Sequence, residues 1–167
     1  MPQNVMTGPS KVVPAWLLGV LVAGSLDLAD ALLVHGVRGV PPVRVLQSIA
    51  GGFLGRGTFS GGATTAGIGL LTHYAIIAVM MTVYVGIQAR APWCRRHVMV
   101  AGLLYGSVLY AFMTHVILPV SAASQFLRPP AGIDVLNAWF AHAVLVGVPI
   151  AVFARRMPMP RVRALQS

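Results

Sequence analysis

Four ionisable side chains lie where charge is costly. Asp27 and Asp30 share one long apolar run, His73 sits near the middle of a second, and His142 lies within a third. A spacing of three puts Asp27 and Asp30 on one helix face, on a stripe that continues through Ala23 and Gly19. His73 shares a stripe with Gly62, Ala66 and Gly69, and His142 shares one with Asp134 and Ala138. Ionisable groups at bilayer depth face the bundle interior and a partner. These four residues are therefore the candidates for chemistry.

Two carboxylates this close cannot both ionise cheaply, so at least one is protonated or paired with an imidazolium. Three uses follow. In the first, Asp27 or Asp30 accepts a hydrogen bond from His73 or His142, and the network fixes helix register. In the second, Asp30, His73 and His142 are metal ligands, a set suited to zinc, iron or copper. No His-Glu-x-x-His or Cys-x-x-Cys signature accompanies them. A haem held between His73 and His142 is a variant of that reading. In the third, the layer lines a small-solute pocket open on one side. A through-going proton path lacks groups, because the other half offers only Thr82, Tyr84, Tyr105 and Ser107. No catalytic residue emerges: no Ser has a His and Asp in a nucleophile context, and no acidic cluster suits magnesium.

The elements that must position these groups follow from composition. Of 167 residues, 57% are hydrophobic and 9% are charged, against roughly 25% charged in a soluble domain. Such a chain cannot cover a globular surface with charge, and it is too apolar for intrinsic disorder. The expectation is an all-α, four-helix transmembrane bundle in the lipid bilayer. A span needs about 20 apolar residues, and four runs qualify, at about 14–37, 62–88, 98–119 and 134–153. They form one domain over 14–153, between an N-terminal tail at 1–13 and a basic C-terminal tail at 154–167. Lys11 and Val22-Ala23-Gly24 mimic a signal peptide with its cleavage site, but apolar character resumes from Ala31 to Val37. Pro149 predicts a kink in the fourth span.

At about 1.5 Å per residue, Asp30, His142, Asp27 and His73 fall roughly 10–17 Å from one end of the bundle. They make one layer, with His35, His115 and Asp134 forming a rim above it. Small-xxx-small pairs at Gly19/Ala23, Gly62/Ala66, Gly102/Gly106 and Ala143/Gly147 place a close-approach point in every span.

Between spans one and two, residues 43–55 read as a short amphipathic helix lying in the interface. Val45, Leu46, Ile49, Ala50, Phe53 and Leu54 form its apolar face, and Arg44, Gln47, Ser48, Gly51 and Gly52 its polar face. The glycines that follow fit no phosphate-loop spacing. Arg44 and Arg56 are candidate contacts for lipid phosphates instead. The 12 cations against 3 acids are scattered between spans, which speaks for topology rather than nucleic acid. The N-terminus, the connection between spans two and three, and the C-terminus hold Lys11, Arg90, Arg95, Arg96, Arg155, Arg156, Arg161 and Arg163. The opposite side holds Arg38, Arg44, Arg56 and Arg128. Both termini are thus expected in the cytoplasm. The lone Cys94 excludes an intrachain disulfide.

The segments Leu26-Asp27-Leu28-Ala29-Asp30, Gly36-Val37-Arg38-Gly39-Val40, Val43 to Gly51, Phe59-Ser60-Gly61-Gly62, Leu118-Pro119-Val120-Ser121-Ala122 and Gly147-Val148-Pro149-Ile150 resemble a group of small bacterial four-span inner-membrane proteins of the YagU type. The resemblance covers most of the chain. It implies a bacterial plasma membrane and brings no activity with it. The reading at this level is a non-enzymatic membrane protein whose Asp/His layer is structural or binds a small solute or metal. A metal- or haem-dependent redox protein and an accessory subunit of a membrane complex are the alternatives, and a homo-oligomer stays open.

Overall fold

The computed structural model describes residues 12–157. Lys11, Arg161 and Arg163 lie outside the described residues, with the rest of 1–11 and 158–167. Among the described residues every regular element is helical. α1 (Val12–Gly36) leads to α2 (Pro42–Leu54) and a 3-10 turn, Gly55–Ser60. α3 (Gly62–Arg90) and the single turn α4 (Trp93–Arg96) follow. α5 (Val98–Val120) and α6 (Ile133–Arg155) complete the bundle, joined through a second 3-10 turn at Ala122–Gln125. α1, α3, α5 and α6 are long and apolar enough to cross a membrane.

The boundaries have local causes. Pro42 opens α2 at a position where a missing N–H costs nothing. Gly55 closes that helix at φ 64°, a conformation open to glycine and strained for other residues. Pro92 forces Ala91 out of helical geometry and ends α3.

The anticipated kink at Pro149 takes a definite form. α6 widens into a π-helical segment over Ala141–Gly147, just before Val148-Pro149. α5 does the same over Met113–Ile117, just before Leu118-Pro119. A proline ring crowds the carbonyl four residues earlier and offers no N–H to it. Bonding to the fifth residue instead relieves both problems and keeps each helix continuous through the bilayer.

α6 packs against α1, α3 and α5, and the tightest core lies along its second half. Ala23, Met81, Tyr84, Val146, Ile150 and Ala154 are all at most 1% exposed. The outward faces are apolar: Leu17, Leu71, Val79, Leu104 and Val108 are exposed. With the backbone bonded within each helix, that surface suits lipid tails.

Close approach between α5 and α6 rests on the expected small residues. A Cβ on Gly106 would stand 2.6 Å from the Ala143 Cα, and one on Gly102 would stand 2.8 Å from the Val148 Cα. Gly62 departs from expectation, since its missing side chain faces open space. The close-approach point of α3 is Gly69, and its neighbour is α2 rather than another span: a Cβ there would stand 2.7 Å from the Leu46 carbonyl carbon.

That contact re-sorts the faces of α2. Gln47 and Gly51, expected on the polar face, are buried together with Val45 and Ala50. Val43, Phe53 and Leu54 point away from the bundle and are exposed. Gln47 is tolerated inside because its polar groups close a ring. Its Nε2 donates to the Gly62 carbonyl at 3.0 Å and to Thr65 Oγ1 at 3.2 Å. Thr65 Oγ1 donates to the Thr58 carbonyl at 2.7 Å, and Thr58 Oγ1 donates back to the Gln47 carbonyl at 3.0 Å. Buried polar groups are cheap only when satisfied in this way.

Candidate functional site

α1, α3 and α6 bring the predicted layer together around Asp27. His142, His73 and Asp30 all lie within coulombic reach of its carboxylate. His73 Nδ1 stands 4.0 Å from Asp27 Oδ2, with the two side chains 9% and 21% exposed. The other ring nitrogen has a firmer partner. His73 Nε2 lies 2.8 Å from the Gly24 carbonyl oxygen, which can only accept, so Nε2 carries a hydrogen.

Nδ1 then faces Asp27 across a gap too long for a hydrogen bond, so the contact is a close electrostatic approach of imidazole to carboxyl. Gly24 supplies the room for this crossing: Tyr74 packs over it, and a Cβ there would stand 2.7 Å from the Tyr74 ring. Ser25 and Tyr74 close the contact with a hydrogen bond between their hydroxyls of 2.8 Å.

Asp30 and His142 are partnered differently from the sequence expectation. Asp30 Oδ2 accepts from Asn137 Nδ2 on α6 at 2.9 Å. Sequence reading passed over Asn137, although a lone amide inside an apolar run, three residues after Asp134, was a visible signal. His142 Nδ1 donates to the Ala138 carbonyl of its own helix at 2.9 Å, at the start of the π segment. Its ring meets Tyr110 edge-on at 6.0 Å. The layer is therefore a chain of separate pairs. Asp30, His73 and His142 do not converge as ligands, and among the described residues no three of His, Cys, Asp and Glu form a metal-holding group.

The rim is also resolved into pairs. Both guanidinium nitrogens of Arg38 donate to Asp134, one at 3.1 Å. That hydrogen bonding, and then the carboxylate charge, raises the Arg38 guanidinium above its ordinary value. The pair is exposed, so it contributes little to stability. His35 lies within coulombic reach of Asp134 and is exposed, as is His115. Arg44 stacks over Phe59 at 5.2 Å, which in turn meets Phe126 edge-on at 5.1 Å. Arg56 donates to the Gln125 carbonyl. Of the two candidate lipid-phosphate arginines, Arg56 thus ties one 3-10 turn to the other, and Arg44 covers Phe59 of the first.

Two grooves lie away from the layer. One groove of about 260 Å³ lies between Trp16 and the Ala78–Val83 stretch of α3. Another of about 320 Å³ lies between Val98, Val152, Arg155 and Arg156. Three of the four polar groups of the other half are hydrogen-bonded, whereas the Tyr84 hydroxyl is buried without a partner among the described residues. Thr82 Oγ1 donates to Ala78 at 2.8 Å and accepts from Trp16, Tyr105 donates to Met80 at 2.7 Å, and Ser107 donates to Leu103 at 2.8 Å.

The four apolar helices fit a multi-pass membrane protein, with a lipid bilayer as their surroundings. Comparison of the chain with protein-family models, with curated proteins and with solved structures finds no match.

Proposed function

We propose that this is a non-enzymatic protein of the bacterial plasma membrane, of the small four-span type that it resembles. In this reading both termini are cytoplasmic, and His73, bonded to the Gly24 carbonyl and set against Asp27, is a polar clasp that fixes α1 against α3. The observation that carries it is the two-sided engagement of one imidazole, with Nε2 donating to Gly24 and Nδ1 facing Asp27 at 4.0 Å. The separate pairing of Asp30 weighs against a metal centre.

The clasp makes an ordered prediction for melting in detergent. Asp27→Asn keeps the shape and polarity of the group set against the imidazole, so it is expected to be mild. Asp27→Leu and His73→Leu each leave a buried polar partner unmatched and should cost about 1–3 kcal/mol. The double leucine variant should recover part of that loss, since removing both partners is cheaper than removing one. Asp27→Leu melting like the unaltered protein would refute the clasp. A zinc-dependent rise in melting temperature that disappears in His73→Leu would favour the metal reading in its place.

Orientation is tested with exposed positions at the two ends, Ser60 and Arg96. Cys94 is buried and contributes little background. An impermeant maleimide applied to intact cells is expected to label Ser60→Cys and spare Arg96→Cys. The opposite pattern inverts the topology.

A further inference from the structure

All three side-chain carboxylates of the protein, Asp27, Asp30 and Asp134, belong to the layer or its rim. The other end of the bundle carries Arg90, Arg95, Arg96, Arg155 and Arg156 with no side-chain carboxylate to balance them. These arginines are not equivalent. Arg90 Nη1 turns back to the Gly86 carbonyl at 3.3 Å. Arg95 is spent on the end of α6, donating to the Met157 carbonyl at 2.9 Å and to the Arg155 carbonyl at 2.7 Å. Gln88, itself buried, donates to the Ala154 carbonyl at 2.6 Å.

These donors have two effects on the last turn of α6. They neutralise the carbonyls that would repel an anion at a helix C-terminus, and they hold the backbone that carries Arg155 and Arg156. Arg156 is further steadied over the Phe153 ring, at 4.9 Å.

Arg155 and Arg156 are exposed and form one wall of the 320 Å³ groove completed by Val98 and Val152. The composition of the groove is divided between two arginines and two branched aliphatic side chains, one from each of two spans. Met99 and Val100, next to Val98, are exposed and continue the apolar surface. Trp93, partly exposed beside this end of α5, suits the headgroup level. Charge beside aliphatic surface matches one class of ligand.

We propose that this groove binds an anionic glycerophospholipid. Its phosphodiester lies on Arg155 and Arg156, and its upper acyl carbons run along Val152 and Val98. Guanidinium pairs recognise phosphate oxygens by bidentate hydrogen bonding, and basic pockets between spans select anionic headgroups. The proposal uses the bundle and its charge distribution and does not depend on the Asp27–His73 clasp.

The test uses the full chain in neutral detergent doped with phosphatidylglycerol, phosphatidylcholine or inorganic phosphate. Lipid retention is read by native mass spectrometry and stability by thermal melting. Phosphatidylglycerol is expected to stay bound and raise the melting temperature, with no response to phosphatidylcholine. Arg155→Gln combined with Arg156→Gln should weaken retention roughly tenfold or more. Arg128→Gln, exposed at the opposite end, should leave it unchanged. Equal retention of both lipids, or undiminished retention in the Arg155/Arg156 variant, overturns the proposal. Inorganic phosphate matching the lipid in stabilisation overturns it too, by identifying a free-anion site. If the double variant does not fold, a photoactivatable phosphatidylglycerol on the unaltered protein decides. Adducts on the Val98 and Val152 peptides support the site, and adducts only elsewhere reject it.

Discussion

Gly106→Ala is expected to lower stability by about 2–3 kcal/mol, the upper part of the range for overpacking a close contact. The added methyl would meet the His142 carbonyl group and stand 2.6 Å from the Ala143 Cα. Those atoms are backbone, so no rotamer change makes room and the two helices must separate. Separation costs dispersion contacts that nothing in lipid replaces, because acyl tails exert no hydrophobic drive between spans. Gly147→Ala strikes the same contact from the other side, 2.8 Å from the Gly106 nitrogen. Once α5 and α6 have moved apart, the second substitution adds less than its own cost, and the double variant is expected to be less than additive. Gly67→Ala is the control: nothing lies within 4 Å of its missing Cβ, and alanine gains helix propensity of up to about 1 kcal/mol. Thermal or denaturant unfolding in detergent reads all four proteins. Gly106→Ala and Gly67→Ala behaving alike would refute the packing argument.

Gly69→Ala should act as strongly but in a confined region. Its Cβ would meet the Leu46 carbonyl and stand 3.3 Å from the Ala50 nitrogen, so α2 has to lift from α3. Lifting opens the ring of Gln47, Thr58 and Thr65 and exposes polar groups that were matched inside it. A cost of about 2–3 kcal/mol is expected, within the overpacking range. The distinguishing readout is hydrogen exchange. Amides of α2 and of Gly55–Ser60 should exchange faster, while those of α5 and α6 keep their protection. Unchanged exchange in α2 would show that α2 does not rest on Gly69.

The residues of the layer show how far pattern reading reaches. Asp27, Asp30, His73 and His142 were identifiable because each interrupts an apolar run, and depth along a helix is simple arithmetic. Their partners were not legible in the same way. Asp30 is engaged by Asn137, one position from the stripe drawn through Asp134 and Ala138. Asn137 lies in the regular α-helical part of α6, ahead of the π segment, so its face follows from spacing, but the residue of α1 that it meets depends on how the two helices are rotated against each other. His73 takes its firmest bond from the Gly24 carbonyl, a backbone group with no sequence signature. Gln47 illustrates the same limit on α2. Its polarity predicted exposure, yet a glycine on α3 drew it inward and two threonines satisfied it.

Sequence alone determined the number and limits of the spans, the short helix after the first, and the end of the bundle at which the acids gather. Each of these depends on sums over neighbouring residues: hydropathy over a bilayer's thickness, proline and glycine at boundaries, charge between runs. Tertiary structure decided which face of α2 is buried, which glycines touch, and who partners whom in the layer. Those outcomes depend on the rotation and register of one helix against another. Contacts between atoms remote in the chain select them, and in this protein the contacts that select are backbones meeting where a side chain is missing.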